Sequence, residues 1–281
     1  MLNLNVIHKP KTIQDAVKLL RQPNTVALAG GTHLISAKRR ASRVQAVVDL
    51  SALNLGYIRD AGAPLAGAIA IGATTTLADM NESPILRAAA NGVMAQAAHR
   101  TAANILRNQA TVAGTLISEP NGIFATTLLA LDALMVCAGD KTMDVPLTDF
   151  LAMLDHFTMG SLVTEIVIPA ASVGKRAALE TVARTPSDKP IVSVCASLRV
   201  EGNTARDVRI ALGGVEPSAV RAAGAEKALE GKGLSNAVIE QAAELASQDL
   251  APQGDYRGSV EYRAEMAIVL TRRAVQGLMK S

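Results

Sequence analysis

Tryptophan is missing from this 281-residue chain, and three tyrosines and three phenylalanines are its whole aromatic complement. So few flat side chains leave no stacking platform for single-stranded nucleic acid. Charge of one sign is also lacking: 28 lysines and arginines face 25 aspartates and glutamates, a formal net charge of +3. A field that mild implies neither a nucleic-acid nor a membrane partner. The one basic cluster, Lys38-Arg39-Arg40 with Arg43, reads as the solvated end of a helix, with a docking patch as the alternative. Only two cysteines occur, Cys137 in "LMVCAG" and Cys195 in "VSVCASL". Both read as buried free thiols, since a disulfide needs an oxidising compartment. The four histidines, His8, His33, His99 and His156, stand at no metal-ligand spacing, so neither a metal nor an iron-sulfur site can be assembled. No apolar run approaches about 18 residues, and "MLNLNVIHKPKTIQDA" lacks the layout of a secretory signal. The expectation is a cytoplasmic protein without membrane insertion.

What is present is aliphatic. Hydrophobic residues make up 49% of the chain against 19% charged, a balance that supports packed cores in roughly two domains. Thr12 followed by Asp15 resembles a capping box, and Ile13, Ala16, Val17 and Leu20 keep helical spacing. "TVALA" then reads as a buried strand, "GGT" as a turn, "HLISAKRR" as a short helix and "AVVDL" as a second strand, an α/β opening. "GYIRD" and "AIAIGA" are strands joined through Gly62-Ala63-Pro64, and Ser83-Pro84 starts a helix that Asn91-Gly92 closes before another runs to about Arg100. "IFATTLLALDALMVCAG" is helix then strand, "PLTDFLAML" a short helix, and "SLVTEIVIP" a strand stopped by Pro169. Beyond about Ser172 two alternating strands flank Glu201-Gly202-Asn203, a hairpin signal. Helices follow at 218–230, 235–248 and 259–279. Strands first and helices after make this block an α+β module, with the boundary between Pro169 and Gly174.

Two segments place glycine among β-formers: "LAGGTH" and, far along the chain, "ATVAGT". Glycine at a strand end permits positive φ and lets successive N–H groups converge on an anion such as a phosphate. A plain turn is the alternative for either alone. Common nucleotide signatures fail: no Gly-x-Gly-x-x-Gly opens a helix after the first strand, and no Gly-x4-Gly-Lys-Ser/Thr occurs. Gly-x-Ser-x-Gly is also missing, which leaves hydrolytic catalysis without support.

The ordered segments "AGGTHLISAKRR", "AVVDLSAL", "AIGATTTLADM", "ILRNQATVAGTLISEP", "LLALDALMV" and "EIVIP" resemble the FAD-binding medium subunit of molybdenum hydroxylases such as carbon monoxide dehydrogenase and xanthine dehydrogenase. "RIALGGVEPSAVRAAGAEKALEG" and "DYRGSVEYRAEMAIVLTRRAV" resemble that family's flavoprotein C-terminal domain. The resemblance covers nearly the whole chain. It implies a mixed α/β (α+β) architecture: an FAD-binding fold of the p-cresol methylhydroxylase (vanillyl-alcohol oxidase) type over 1–171, with subdomains of about 1–55 and 56–171, then an α+β domain over 172–281. The cofactor implied is FAD. Its pyrophosphate would be wrapped by Ala27, Leu28, Ala29, Gly30, Gly31, Thr32, His33 and Leu34, closed on the other side by Thr111, Gly114 and Thr115, with apolar contacts from Leu162 and Val163. His33 itself reads as a neutral loop histidine, with a phosphate contact when protonated as the alternative.

The implied partners are a molybdenum-cofactor large subunit and a 2Fe-2S small subunit, in a heterotrimer or a dimer of heterotrimers. Electrons would pass from the clusters to FAD and on to an external acceptor, with no side chain as nucleophile or acid. Three departures from the family pattern stand out. Ala113-Gly114-Thr115 replaces two glycines and an asparagine, which would strain the backbone if Ala113 required positive φ. The aspartate expected shortly after Pro120 is absent from "PNGIFATT", and a lysine commonly found on the strand entering the C-terminal domain is replaced near Thr181. They keep open a flavin-poor structural subunit. A stand-alone reductase of the same fold is the other alternative, with Ser118 and Glu119 the available polar groups and a solvated-loop role the plainer reading of both.

Overall fold

The structure, a computed structural model, describes residues 4–36, 43–185, 188–248 and 250–279; Lys38-Arg39-Arg40 lies outside them. The chain begins with β1 (Val6–His8), α1 (Ile13–Leu20), β2 (Thr25–Leu28) and β3 (Ala46–Asp49). Thr12 caps α1 by accepting the Asp15 N–H at 3.1 Å while its hydroxyl donates to the Asp15 carboxylate at 2.7 Å. The helical spacing then buries Ala16, Val17 and Leu20. All pairing is parallel in the order β1-β3-β2, which leaves β2 on an edge. Strand β1 escapes a sequence reading because its three residues carry no alternation: Val6 and Ile7 are both exposed. Between β2 and β3 the described residues show a single turn at Thr32–Ile35, closed by Ile35 N–H to Gly31 O.

A five-stranded antiparallel sheet forms the second unit. β4 (Ile58–Asp60) and β5 (Ile69–Gly72) lead into helices α2 (Leu77–Glu82), α3 (Pro84–Ala88), α4 (Val93–Thr101), α5 (Asn104–Arg107), α6 (Val112–Ser118) and α7 (Ile123–Ala130). There follow β6 (Leu134–Ala138), β7 (Thr142–Pro146), α8 (Leu147–Ala152), α9 (Leu154–Thr158) and β8 (Leu162–Ile168), giving the order β4-β5-β8-β6-β7. Ser83 caps α3 with Pro84 in its first turn, and Asn91 and Gly92 turn the chain at φ 56° and 69°. Buried side chains of α1 pack on Ala138 of β6 and Leu162 of β8, so the first sheet is seated on the second. The "ATVAGT" segment is not a glycine turn but the start of a helix: Thr111 caps α6, and Ala113 lies inside it with no positive φ. The strain anticipated at Ala113 therefore does not arise.

After α10 (Ala170–Val173) come β9 (Arg176–Val182), β10 (Val192–Glu201), β11 (Thr204–Gly213), β12 (Val220–Arg221), α11 (Ala223–Leu229), α12 (Asn236–Leu245) and α13 (Val260–Met279). The sheet is antiparallel in the order β12-β11-β10-β9. Glu201 pairs with Thr204 around Gly202-Asn203, with Gly202 at φ 63°. The C-terminal motif now has a physical role. Arg263 in α13, almost fully buried, donates to the carbonyls of Ile191 (2.7 Å), Gly214 and Gly258 and to Asp255 (2.5 Å), and Asp255 also receives Arg257. One side chain thus pins three loops together.

Helix α7 joins the two halves. All eight of its residues are buried, a pattern that marks a helix surrounded by protein on every side. It packs on β10, β11 and β12, and shares one continuous core with Ala177 and Leu179 of β9, Cys195 of β10 and Ala211 of β11. Ser197 donates to the Ala130 carbonyl at 2.6 Å, and Thr126 shares a hydrogen bond with Ser193 at 3.1 Å. Just past α7, Asp132 accepts from Arg209 and Arg221, both at 2.9 Å or less, and faces the buried Lys175 at 3.5 Å. Lys175 also pairs with Asp207 at 3.1 Å.

Candidate functional site

A cleft of about 930 Å³ opens beside the edge strand β2. One wall is β2 with the turn that follows it, from Ala27 to Leu34; the other is built from Thr111, Ala113, Gly114, Ile117 and Ser118 of α6 and from the Asp155–Val163 region. The two glycine-bearing segments, some 80 residues apart in the chain, therefore face one space. Their closeness has a specific cause. A Cβ built on Gly30 would lie 1.5 Å from the Gln109 carbonyl oxygen, so only glycine lets the turn rest on the peptide that leads into α6. Gly31 differs: it sits at φ +72° with van der Waals neighbours Ile35 and Leu28, and its need is conformational.

Hydrogen-bond accounting separates the two walls. Among the described residues, the N–H groups of Gly30, Gly31 and Thr32 donate to no protein atom. On α6 the corresponding donors are spent: Val112 N–H goes to Thr75 O at 2.9 Å, Ala113 N–H to Ala73 O at 3.2 Å, and Gly114 N–H to the Thr111 hydroxyl at 3.3 Å. Gly30, Gly31 and Thr32 are half-buried, so their N–H groups stay open to the cleft. A run of three free donors on a turn lining a cleft, centred on a residue of positive φ, is the form of an anion nest. Such a turn suits the chemistry of a diphosphate.

Twelve of the thirteen residues expected from the sequence line this cleft: Ala27, Leu28, Ala29, Gly30, Gly31, Thr32, His33, Leu34, Thr111, Gly114, Leu162 and Val163. Thr115 does not; it is buried behind the wall, with its N–H on the Thr111 carbonyl. Sequence reading missed Asp155, the stretch Phe157–Ser161 and Arg21–Asn24, which line the same space. Arg21 holds that end together, donating to Asp140 at 2.6 Å and to the Gly160 carbonyl at 3.4 Å. Gly160 at φ +76°, in "TMGSL", was the available signal. Of the remaining polar candidates, Ser118 lines the cleft but donates to the Thr115 carbonyl, Glu119 is ion-paired with Lys189, and Asn121 donates to the Glu216 carbonyl. Thr181 sits in β9 opposite Ser193.

Both cysteines are buried and far from thiolate character, burial pushing Cys137 up to about 11 and Cys195 to about 12. Among the described residues no group of three histidine, cysteine or carboxylate side chains could hold a metal, and no helix is long and apolar enough to cross a membrane.

Residues 2–171 match the family model of the FAD binding domain in molybdopterin dehydrogenase, and residues 177–278 that of the CO dehydrogenase flavoprotein C-terminal domain. The carbon monoxide dehydrogenase medium chain of Hydrogenophaga pseudoflava is 30% identical over 95% of this chain and 94% of its own length. The glyceraldehyde dehydrogenase medium chain of Sulfolobus acidocaldarius is 29% identical over 95% of both. Among solved structures, the carbon monoxide dehydrogenase of Hydrogenophaga pseudoflava lacking the Mo-pyranopterin moiety superposes with a TM-score of 0.90 at 28% identity, over 100% of this chain and 99% of that one. Quinoline 2-oxidoreductase from Pseudomonas putida 86 gives 0.86 at 26% identity, over 99% of both chains.

Proposed function

We propose that this chain, which belongs to the family of FAD-binding medium subunits of molybdenum-containing hydroxylases, serves as the electron exit of its complex. It is an oxidoreductase flavoprotein subunit and its cofactor is FAD. On this reading a 2Fe-2S small subunit delivers electrons that a molybdenum-cofactor large subunit has taken from the substrate, and an external acceptor removes them here. FAD, when bound, supplies single-electron acceptance and paired or single release. The chain's own residues bind and orient; none is asked to act as nucleophile, acid or base.

The carrying observation is the turn Gly30–Thr32, three unspent N–H donors aimed at no protein acceptor beside a cleft of about 930 Å³, at the upper end of the size range of cofactor sites. Ala27 to Leu34 would hold the diphosphate, Thr111 and Gly114 would form the facing wall with Thr115 supporting it from behind, and Leu162 and Val163 would give apolar contact. Expression in the native host and affinity purification test the assignment. Flavin absorbance near ~450 nm with co-purifying molybdenum and 2Fe-2S subunits is the expected result. A colourless chain that takes up no added FAD would overturn it.

A further inference from the structure

We propose that the exposed surface running from the end of α4 through α5, His99 to Gln109, is the docking face for the 2Fe-2S small subunit, which meets it with acidic groups around an apolar contact. This inference rests on the electron-exit reading above and adds to it the place where the donor sits.

Three observations carry it. First, charge is distributed unevenly along the chain. Residues 83–118, which contain α3 to α6, hold three arginines and no aspartate or glutamate, and residues 16–48, which contain the facing turn, hold six lysines and arginines and again no carboxylate. The rest of the chain, with nineteen cations against 25 carboxylates, is net negative. A small overall charge thus conceals a concentration of cations in the segments that form the cleft. Second, the arginines of the α4–α5 surface are fixed in place without being neutralised. Arg100 donates to the Leu179 carbonyl at 3.2 Å and Arg107 to the His99 and Ala102 carbonyls at 2.8 and 2.5 Å, and among the described residues neither meets a carboxylate at ion-pair distance. Main-chain acceptors take a hydrogen bond and leave the positive charge to an incoming anion. Third, α5 buries none of its residues. Ile105 is 80% and Leu106 45% exposed, an aliphatic pair lying between Arg100 and Arg107 in the chain. Apolar centre and polar rim are the anatomy of a protein interface.

The occupant follows from position and charge. Gln109 ends this surface, and its carbonyl abuts Gly30 of the turn that lines the cleft. A protein seated here therefore stands at the edge of the cofactor site, where a donor to FAD must come. A 2Fe-2S cluster is itself anionic, because its cysteine thiolates and sulfides outweigh the charge of the two ferric ions. A small diffusing acceptor needs no aliphatic anchor, and a large subunit that hands its electrons to the clusters needs no place beside FAD.

The test uses the native complex, purified through an affinity tag on this chain, with FAD, iron and acid-labile sulfide measured per chain. Ile105→Glu sets a carboxylate in the middle of the surface and, at so exposed a position, should leave the fold and the FAD content as they are. Affinity for the purified small subunit is expected to fall by about tenfold or more. Arg100→Glu should weaken it as well and reduce its dependence on salt, while Ile7→Glu, on the exposed edge strand β1, should change neither. Full iron content and unchanged affinity in Ile105→Glu would refute the assignment, as would loss of the large subunit with the small one retained. Should Arg100→Glu fail to fold, Ile105→Glu decides by itself. A wild-type chain that carries FAD but brings down no iron-sulfur subunit would instead sink the electron-exit reading.

Discussion

Asp132 is the carboxylate on which three cations converge just past α7. It accepts from Arg209 at 2.8 and 2.9 Å and from Arg221 at 2.9 Å, and it faces Lys175, whose side chain is fully buried. Lys175 has one other carboxylate, Asp207 at 3.1 Å. Asp132→Asn isolates the charge, because the residue sits at φ 51° and asparagine tolerates that conformation as readily as aspartate. Removing one partner of a buried pair costs about 3–5 kcal/mol. Asp132 is 32% exposed and asparagine keeps an acceptor oxygen, so the loss should fall at ~2–3 kcal/mol once screening is allowed for. At about 2–4 °C per kcal/mol for a chain of this size, thermal unfolding should shift down by ~5–10 °C. Asp140→Asn is the control: its partner is Arg21, but it is 87% exposed, and its loss should stay under ~0.5 kcal/mol. Urea or thermal melts followed by circular dichroism supply the comparison. Equal costs for Asp132→Asn and Asp140→Asn would refute the view that burial of Lys175 makes this junction expensive to break.

Gly31→Val places a β-branched residue at φ +72°, a strain of about 1–2 kcal/mol, and should abolish flavin retention while leaving a folded protein; a normal absorbance ratio of flavin to protein would count against the nest. Native protein at about pH 8 should leave both cysteines unmodified by a thiol reagent, since burial holds Cys137 near about 11 and Cys195 near about 12, and both should titrate at once in denaturant. Rapid labelling of folded protein would contradict the packing. The Asp255 carboxyl is held well below its ordinary range by the Arg257 and Arg263 hydrogen bonds. A depressed carboxylate stabilises above its unfolded pKa and loses that contribution as pH falls through the folded one. Asp255→Asn should accordingly flatten the acid limb of a stability-against-pH curve, and an unchanged limb would remove the carboxylate from the account.

Much of the architecture was open to reading because local chemistry and packing agree. Thr12, Ser83 and Gly202 mark element ends with side chains or backbone freedom that the structure uses in the expected way. What escaped was decided by partners distant in sequence. Strand β1 is three residues with two exposed, held only by its pairing with β3. Strand β7, exposed at four of five positions, exists because β6 lies beside it. Neither has a hydrophobic pattern of its own, so no period could reveal it. In the cleft, the residues of the Gly turn were named, but Arg21, Asp155 and the Phe157–Ser161 stretch were not. Arg21 reaches Asp140 and Gly160 over sequence separations of 119 and 139 residues, a juxtaposition set by how the first sheet is seated on the second.

The departure at Ala113 shows why a sequence motif cannot be priced without its backbone. Where the family pattern has glycine, this chain has a methyl group, and a positive φ there would make the change costly. Instead Ala113 is the second residue of α6, and the buried methyl lies against the cleft wall. In a helix, alanine is favoured over glycine by about 1 kcal/mol, so the substitution stiffens the start of α6 instead of straining it. Gly114, one residue later, is tighter: a Cβ there would come within 2.8 Å of the Thr111 hydroxyl that caps the helix, so a side chain at this position would require that hydroxyl to shift. The exchange of glycine for alanine at 113 leaves the free donors of Gly30–Thr32 untouched.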